Sequence, residues 1–205
     1  MDEYKVIKTL KNELFFSDSS INKLKIFHQS LLEKNRKYNL ISKSTENSIW
    51  FRHILDSAQI INFIDNKISN NIADFGPGAG FPGLILAIQS KSSRFHVKLY
   101  EKSPVKREFL NNIIQKLDLK NIEVKGDIYE NNITSNIIIC RAFKKLKEII
   151  EISREIVRKP HKIIILKGKN AQTEINNVSL GPKYSYKLES SITDRDSKII
   201  LVEAK

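Results

Sequence analysis

Cysteine is almost missing from this chain: Cys140 is the only one in 205 residues. A single thiol excludes an internal disulfide and fits a reducing compartment. Cys140 follows the apolar run Ile137-Ile138-Ile139, so it reads as a packed thiol rather than a nucleophile. Four scattered His with one Cys make no metal-ligand cluster, and no metal is expected. No apolar stretch approaches the roughly 20 residues of a membrane-spanning helix. The opening Met1-Asp2-Glu3-Tyr4-Lys5 lacks the apolar core of a signal peptide. The expectation is a cytoplasmic protein with no membrane partner. Carboxylates are the minority charge: 23 Asp and Glu face 35 Lys and Arg, a formal net charge of +12. That balance points to a polyanionic partner, nucleic acid first. The chain is rich in Lys, Asn and Ile throughout, so composition alone accounts for part of the excess. Neither a repeat nor a low-complexity linker interrupts it.

Glycine is scarce too, but four of its seven positions, Gly76, Gly78, Gly80 and Gly83, fall together. They follow the short apolar run Ile72-Ala73-Asp74-Phe75, which reads as a strand, and precede Leu84-Ile85-Leu86-Ala87-Ile88, which reads as a helix. Pro82 suits the first helical turn and biases Phe81 toward an extended backbone. Glycines let the chain bend sharply and let a ligand touch the backbone. The free N–H groups of the helix start are expected to favour an anionic group. Gly78-x-Gly80-x-x-Gly83 matches the dinucleotide fingerprint. Gly76-x-Gly78-x-Gly80, entered from Asp74, resembles the first motif of S-adenosylmethionine (SAM) methyltransferases. Glu101, at the end of Phe95-His96-Val97-Lys98-Leu99-Tyr100, stands about 20 residues on, where a carboxylate can hold a ribose. It serves NAD or SAM equally, so these residues imply a ribose-bearing cofactor without choosing one.

Residues 1 to about 65 read as helical. Ile21, Leu24, Phe27, His28, Leu31 and Leu32 recur at helical spacing behind the possible caps Ser19 and Ser20. After the polar turn from Asn39 to Thr45, Trp50, Ile54, Ser57, Ala58 and Ile61 share the face of a further helix. From Asn71 apolar runs alternate with helices. That pattern predicts a parallel sheet covered on both faces, with strands at 71–76, 95–101, 121–125, 135–140 and 161–167. Helices are expected at 82–90, 104–117 and 143–158. Two last strand candidates, 184–188 and 198–202, flank a turn and predict a terminal hairpin. The expected fold class is α/β, and the terminal hairpin together with the resemblance of the glycine motif implies a Rossmann-like SAM-dependent methyltransferase fold, with a mostly parallel seven-stranded sheet, a C-terminal antiparallel hairpin and N-terminal helices. Residues 1–68 are expected to be a helical extension packed on a catalytic domain, 69–205.

Five local sequences carry a more specific resemblance. They are Asn39-Leu40 with its polar turn, Arg52-His53-Ile54-Leu55-Asp56-Ser57, the glycine motif with Phe81-Pro82-Gly83, Arg141-Ala142-Phe143, and Leu166-Lys167-Gly168. In that order and spacing, over roughly residues 35 to 175, the chain resembles the RsmG (GidB) family of bacterial ribosomal RNA methyltransferases. The resemblance implies transfer of a methyl group from SAM to N7 of one guanine in the decoding region of 16S rRNA. The implied partner is that RNA or the small ribosomal subunit, and the implied state is a monomer. Carried over position by position, it implies cofactor contacts at Gly76, Gly78, Gly80, Phe81, Glu101, Ile128, Tyr129 and Arg141. The family usually has an acidic residue where Tyr129 aligns, so Asp127 or Glu130 is an alternative there. Arg52, His53, Asp56, Phe143 and Lys167 are the substrate-side candidates. Two further basic sets, Lys34, Arg36 and Lys37, and Lys144, Lys145 and Lys147, are candidates for RNA phosphate. No general base is expected, because guanine N7 offers a lone pair and carries no proton. Three other readings stay open: a SAM enzyme acting on a small molecule or protein, an NAD-dependent oxidoreductase, and a non-catalytic RNA-binding module.

Overall fold

A computed structural model describes residues 2–65, 68–90, 92–130, 133–157 and 159–205. Seven strands form one sheet: β1 (Asn70–Phe75), β2 (Phe95–Tyr100), β3 (Ile122–Lys125), β4 (Ile137–Arg141), β5 (His161–Lys167), β6 (Tyr184–Ser190) and β7 (Lys198–Ala204), in the order β3-β2-β1-β4-β5-β7-β6. The first five pair in parallel, and β7 is antiparallel to both β5 and β6. Successive side chains of a strand face opposite sides. In β4, Ile137 and Ile139 enter one apolar cluster, and Ile138 and Cys140 the other. In β7, Ile199 and Leu201 alternate with Ile200 and Val202 in the same way. Burial on both faces is why these strands read as unbroken apolar runs.

One face of the sheet carries α4 (Gly83–Gln89) and α5 (Pro104–Lys116), with the N-terminal helices α1 (Glu3–Asn12) and α2 (Asp18–Tyr38) outside them. Phe27, Leu31, Leu84 and Phe109 join a single apolar cluster, so the N-terminal helices share their core with the sheet. The cap of α2 is Ser17, whose Oγ accepts the Ser20 N–H at 3.1 Å. Ser19 and Ser20, expected as caps, lie inside the helix. Ser20 instead donates its hydroxyl to the Ile88 carbonyl on α4 at 2.9 Å. The expected helix at Trp50 is composite. A π-helical turn (Trp50–Leu55) passes through α3 (Asp56–Ala58) into a 3₁₀ turn (Gln59–Phe63). Short π segments recur where a helix must place side chains for function, and this one carries Arg52 and His53.

The opposite face is covered by α6 (Leu146–Ile156) and α7 (Ala171–Asn176). Helix α6 begins three residues later than the spacing predicts, and position 158 of the expected helix lies outside the described residues. Ala142 takes a left-handed backbone (φ 50°), which turns Phe143 back over the sheet edge before the helix can start. Helix α7 is short and mostly polar, and its periodicity gives no signal.

Candidate active site

The strand order reverses between β1 and β4, and crevices in such sheets open outside the carboxyl ends of the strands at that point. Every candidate motif from Gly76 onward leaves a strand at this edge. Glu101 follows β2, Asp127–Tyr129 follow β3, Ala142 and Phe143 follow β4, and Lys167 ends β5.

Two adjoining cavities open there. The first, about 430 Å³, is lined by Gly76, Gly78, Glu101, Ile128, Tyr129 and Phe143 among others. Gly76 has φ +69°, and a Cβ there would stand 2.6 Å from the Phe143 ring, so no other residue fits that approach. At Gly78 a Cβ would meet no atom within 4 Å, so the bare backbone borders open space. Glu101 is buried and latches the bend: Oε2 accepts the Gly78 N–H at 3.1 Å and Oε1 the Ser103 N–H at 2.8 Å. Ile128 is buried against the cavity, while Tyr129 stands 57% exposed at its rim.

The helix start behaves differently from the expectation. Gly83 N–H donates to Asp74 Oδ2 at 2.7 Å, Leu84 N–H to the Gly80 carbonyl at 3.0 Å, and Ile85 N–H to the Pro82 carbonyl at 3.1 Å. These amides are satisfied within the chain, so no anion site exists at the start of α4. Asp74 is the residue that sequence reasoning passed over, taking it only as the entry to the bend. It is wholly buried, its Oδ1 has no hydrogen-bond partner among the described residues, and burial pushes its carboxyl up to about 8.

The second cavity, about 320 Å³, shares Ala142 with the first and is lined by Arg52, His53, Asp56, Arg141 and Lys167, with Thr45 and Lys198. Arg141 organises it. One guanidinium nitrogen donates to the Arg52 carbonyl at 3.0 Å and to Asp56 Oδ2 at 3.3 Å, and the other donates to His53 Nδ1 at 2.7 Å. Its head also lies 5.0 Å from the Phe81 ring centroid, and His53 stacks on the same ring. Arginine has no acceptor, so His53 Nδ1 must accept, which leaves the proton on Nε2. Nε2–H then donates to Thr45 Oγ1 at 2.9 Å, whose own hydrogen goes to the Ser42 carbonyl. Burial and the charges of Arg141 and Arg52 pull the His53 pKa down to about 3, so the ring is neutral. Asp56 Oδ1 accepts from Thr193 at 2.8 Å and from Gln59 at 3.0 Å, tying the π-helical segment to the β6–β7 turn.

The candidate residues therefore separate into two groups. Arg141, expected beside the cofactor, faces the second cavity. Phe143, expected on the substrate side, lines the first. Gly80 and Phe81 line neither and lie beneath the bend, Gly80 against Leu84 and Leu110 and Phe81 between Phe27 and His53. Arg52 is exposed and does not pair with Asp56, whose partner is Arg141. Lys167 is a brace: its Nζ donates to the Lys144 carbonyl at 2.7 Å and to Glu174 Oε2 at 2.8 Å. Sequence reasoning missed Thr45 and Gln59, which are near neighbours of His53 and Asp56, and Thr193 and Lys198, which join the site from far along the chain; only Thr45, in the polar turn, had a local signal.

The two shifted groups predict a pH signature in stability. The His53 pKa is lowered on folding, so its contribution is lost as pH falls from about 6.5 toward 3. The Asp74 pKa is raised from 3.8 to about 8, so its contribution is present at low pH and lost as pH rises through 8. Between about 6.5 and 8, His53 is neutral folded or unfolded and only Asp74 acts. Denaturant melts should show stability falling by about 1–2 kcal/mol across that window, and Asp74→Asn should flatten the slope.

The family model described as rRNA small subunit methyltransferase G matches residues 20–199. The chain is 38% identical over 188 residues to "Ribosomal RNA small subunit methyltransferase G" of Orientia tsutsugamushi (strain Ikeda), covering 91% of this chain and 92% of that protein. It is 35% identical to the protein of the same name from Pelagibacter ubique, covering 87% and 85%. Among solved structures, an O-methyltransferase from Bacillus cereus in complex with SAH superposes with a TM-score of 0.63 at 15% identity, over 97% of this chain and 96% of that one. A SAM-dependent methyltransferase from Aquifex aeolicus does so with a TM-score of 0.55 at 15% identity, over 73% and 89%. At such identities the structural likeness establishes the fold.

Proposed function

The chain belongs to the GidB family of small-subunit rRNA methyltransferases, and from that premise we propose that it transfers a methyl group from SAM to N7 of a guanine in the decoding region of 16S rRNA, acting as a cytoplasmic monomer. The amide inventory of the glycine bend carries the reading. A dinucleotide site needs free N–H groups at the helix start for its pyrophosphate. Here those amides are already bonded to Asp74, Gly80 and Pro82. What remains open is the uncharged backbone at Gly78 beside a carboxylate, which suits an adenosine bearing a sulfonium rather than a phosphate.

The residues present fit that group. A carboxylate has about four lone-pair positions. Gly78 and Ser103 occupy two on Glu101, leaving two for the paired hydroxyls of a ribose. Ile128 gives the adenine an apolar wall, and Tyr129 closes the rim. SAM, when bound, supplies an electrophilic methyl on sulfur.

The second cavity supplies position and charge. Arg52 and Lys198, which have no carboxylate within ion-pair distance among the described residues, make it electropositive, which draws RNA in through its phosphates. No group lining it is a free base. His53 Nδ1 is occupied by Arg141, and both Asp56 oxygens accept hydrogen bonds. Such a site suits guanine N7, whose lone pair attacks without losing a proton, better than a hydroxyl or an exocyclic amine. The target base must leave its stack to reach the shared edge at Ala142. Incubation of small subunits with methyl-labelled SAM tests the proposal: label should enter the small-subunit rRNA, and mass spectrometry of its nuclease digest should place it on guanine N7. Label confined to protein or metabolites, or on another base position, would overturn it.

A further inference from the structure

A third cavity of about 360 Å³ lies apart from both of these, between the last turns of α2 and the C-terminal half of α5. Its floor is apolar, from Phe109 and Ile113, and its wall is Tyr38, which is 37% exposed. Two ammonium groups approach the Tyr38 ring, Lys34 at 4.6 Å and Lys37 at 5.2 Å from its centroid. Lys34 is also paired with Glu108 at 3.1 Å. Lys37 and Lys116 have no carboxylate within ion-pair distance among the described residues, and Lys116 bonds only the Ser30 hydroxyl, at 3.0 Å. The one carboxylate lining the cavity is Glu33, which accepts from Gln29 at 2.8 Å. A helix end favours nearby cations through its dipole, which accounts for basic residues in the last turn of α2. It also accounts for Lys116, which ends α5, but not for the aromatic wall on which the two helix ends converge.

We propose that this groove holds one unstacked nucleotide of the substrate RNA, its base against Tyr38 and its flanking phosphates on Lys37 and Lys116. The inference rests on the reading that the substrate is RNA. An exposed aromatic face beside cations is the arrangement by which proteins hold single-stranded nucleic acid. An ammonium leaving the ring for a phosphate oxygen frees that face for a base. The groove and the first cavity lie along the same helix, α5. Lys106 lines that cavity, and Phe109, three residues on along α5, begins the groove floor. Residues three apart on a helix are neighbours, so the Phe109 end of the groove lies one helical turn from Lys106 at the first cavity, and Lys116 marks its far end.

Three variants test it, read by affinity for a mixed-sequence single-stranded oligoribonucleotide and by methylation of small subunits. Tyr38→Ala should weaken RNA binding by about 5- to 150-fold, and Tyr38→Phe should retain it. The double variant Lys37→Gln, Lys116→Gln should lower the slope of log affinity against log salt by about 1.4, two phosphate contacts at roughly 0.7 each. Methylation should show a raised KM for subunits with kcat and SAM affinity nearly unchanged. If Tyr38→Ala lowers the thermal midpoint, the double lysine variant carries the test. RNA affinity and salt slope equal to the parent's would overturn the inference. Parent protein that methylates subunits while the variants match it defeats the groove alone. Parent protein that binds RNA through the groove yet transfers no methyl defeats the proposed function alone.

Discussion

Glu101→Ala is expected to abolish cofactor binding at any practical concentration, with a loss of at least about 100-fold in affinity. Two effects add. The ribose loses two hydrogen bonds to a charged acceptor, each worth about 1.5–3 kcal/mol. The bend also loses its latch, because Gly78 N–H and Ser103 N–H both donate to this carboxylate at 3.1 and 2.8 Å. Gly78 stands at φ +59°, one of several conformations glycine samples freely, and the latch selects it. Glu101→Gln separates the two. Its amide oxygen can keep one latch bond, but its NH2 cannot accept from a ribose hydroxyl. Calorimetry should therefore find intermediate affinity for Gln and none for Ala. Affinity for SAM that survives Glu101→Ala would remove the residue from the site.

Arg141→Ala should separate binding from turnover. The residue lies on the second cavity, so SAM affinity should stay within about threefold, while rRNA methylation falls by about 100-fold, the scale of loss when positioning fails by an ångström. The mutation removes a donor from His53 Nδ1, from the Arg52 carbonyl and from Asp56, and takes the cation off the Phe81 ring. Asp56 would then keep a mostly buried charge with only Thr193 and Gln59 as donors. Breaking a fully buried pair costs about 3–5 kcal/mol; this one is 17% exposed on each side, so the loss should be smaller but visible as a lower midpoint in denaturant. Arg141→Lys should not rescue turnover, because one ammonium cannot reproduce a fork aimed at three acceptors. Weakened SAM binding with turnover intact at saturating SAM would return Arg141 to the cofactor side.

The sheet was legible because both its faces are buried. Ile163-Ile164-Ile165 and Ile199-Ile200-Leu201 are apolar at every position, and no amphipathic helix produces that pattern. The bend was legible because backbone bordering a ligand needs glycine, and glycine is visible in sequence. What escaped was decided across the fold. Asp56 pairs with a residue 85 positions away, and no local pattern selects Arg141 over the nearer Arg52. Three serines near the start of α2 are locally equivalent. Ser17 became the cap because Ser20 was needed at the Ile88 carbonyl. The first amide of α4, Gly83 N–H, looked open because its partner, Asp74, lies on the preceding strand rather than in the loop. Sequence alone thus showed which elements meet at the crevice but not which of two neighbouring cavities each side chain enters.

Titration calorimetry of the parent protein with SAM's demethylated product and with NAD tests the account most directly. The bend offers a carboxylate and an uncharged cradle, and its helix-start amides are already bonded. The account therefore predicts one stoichiometric site for the adenosyl thioether and no heat with NAD. A site that takes NAD and refuses the thioether would contradict it.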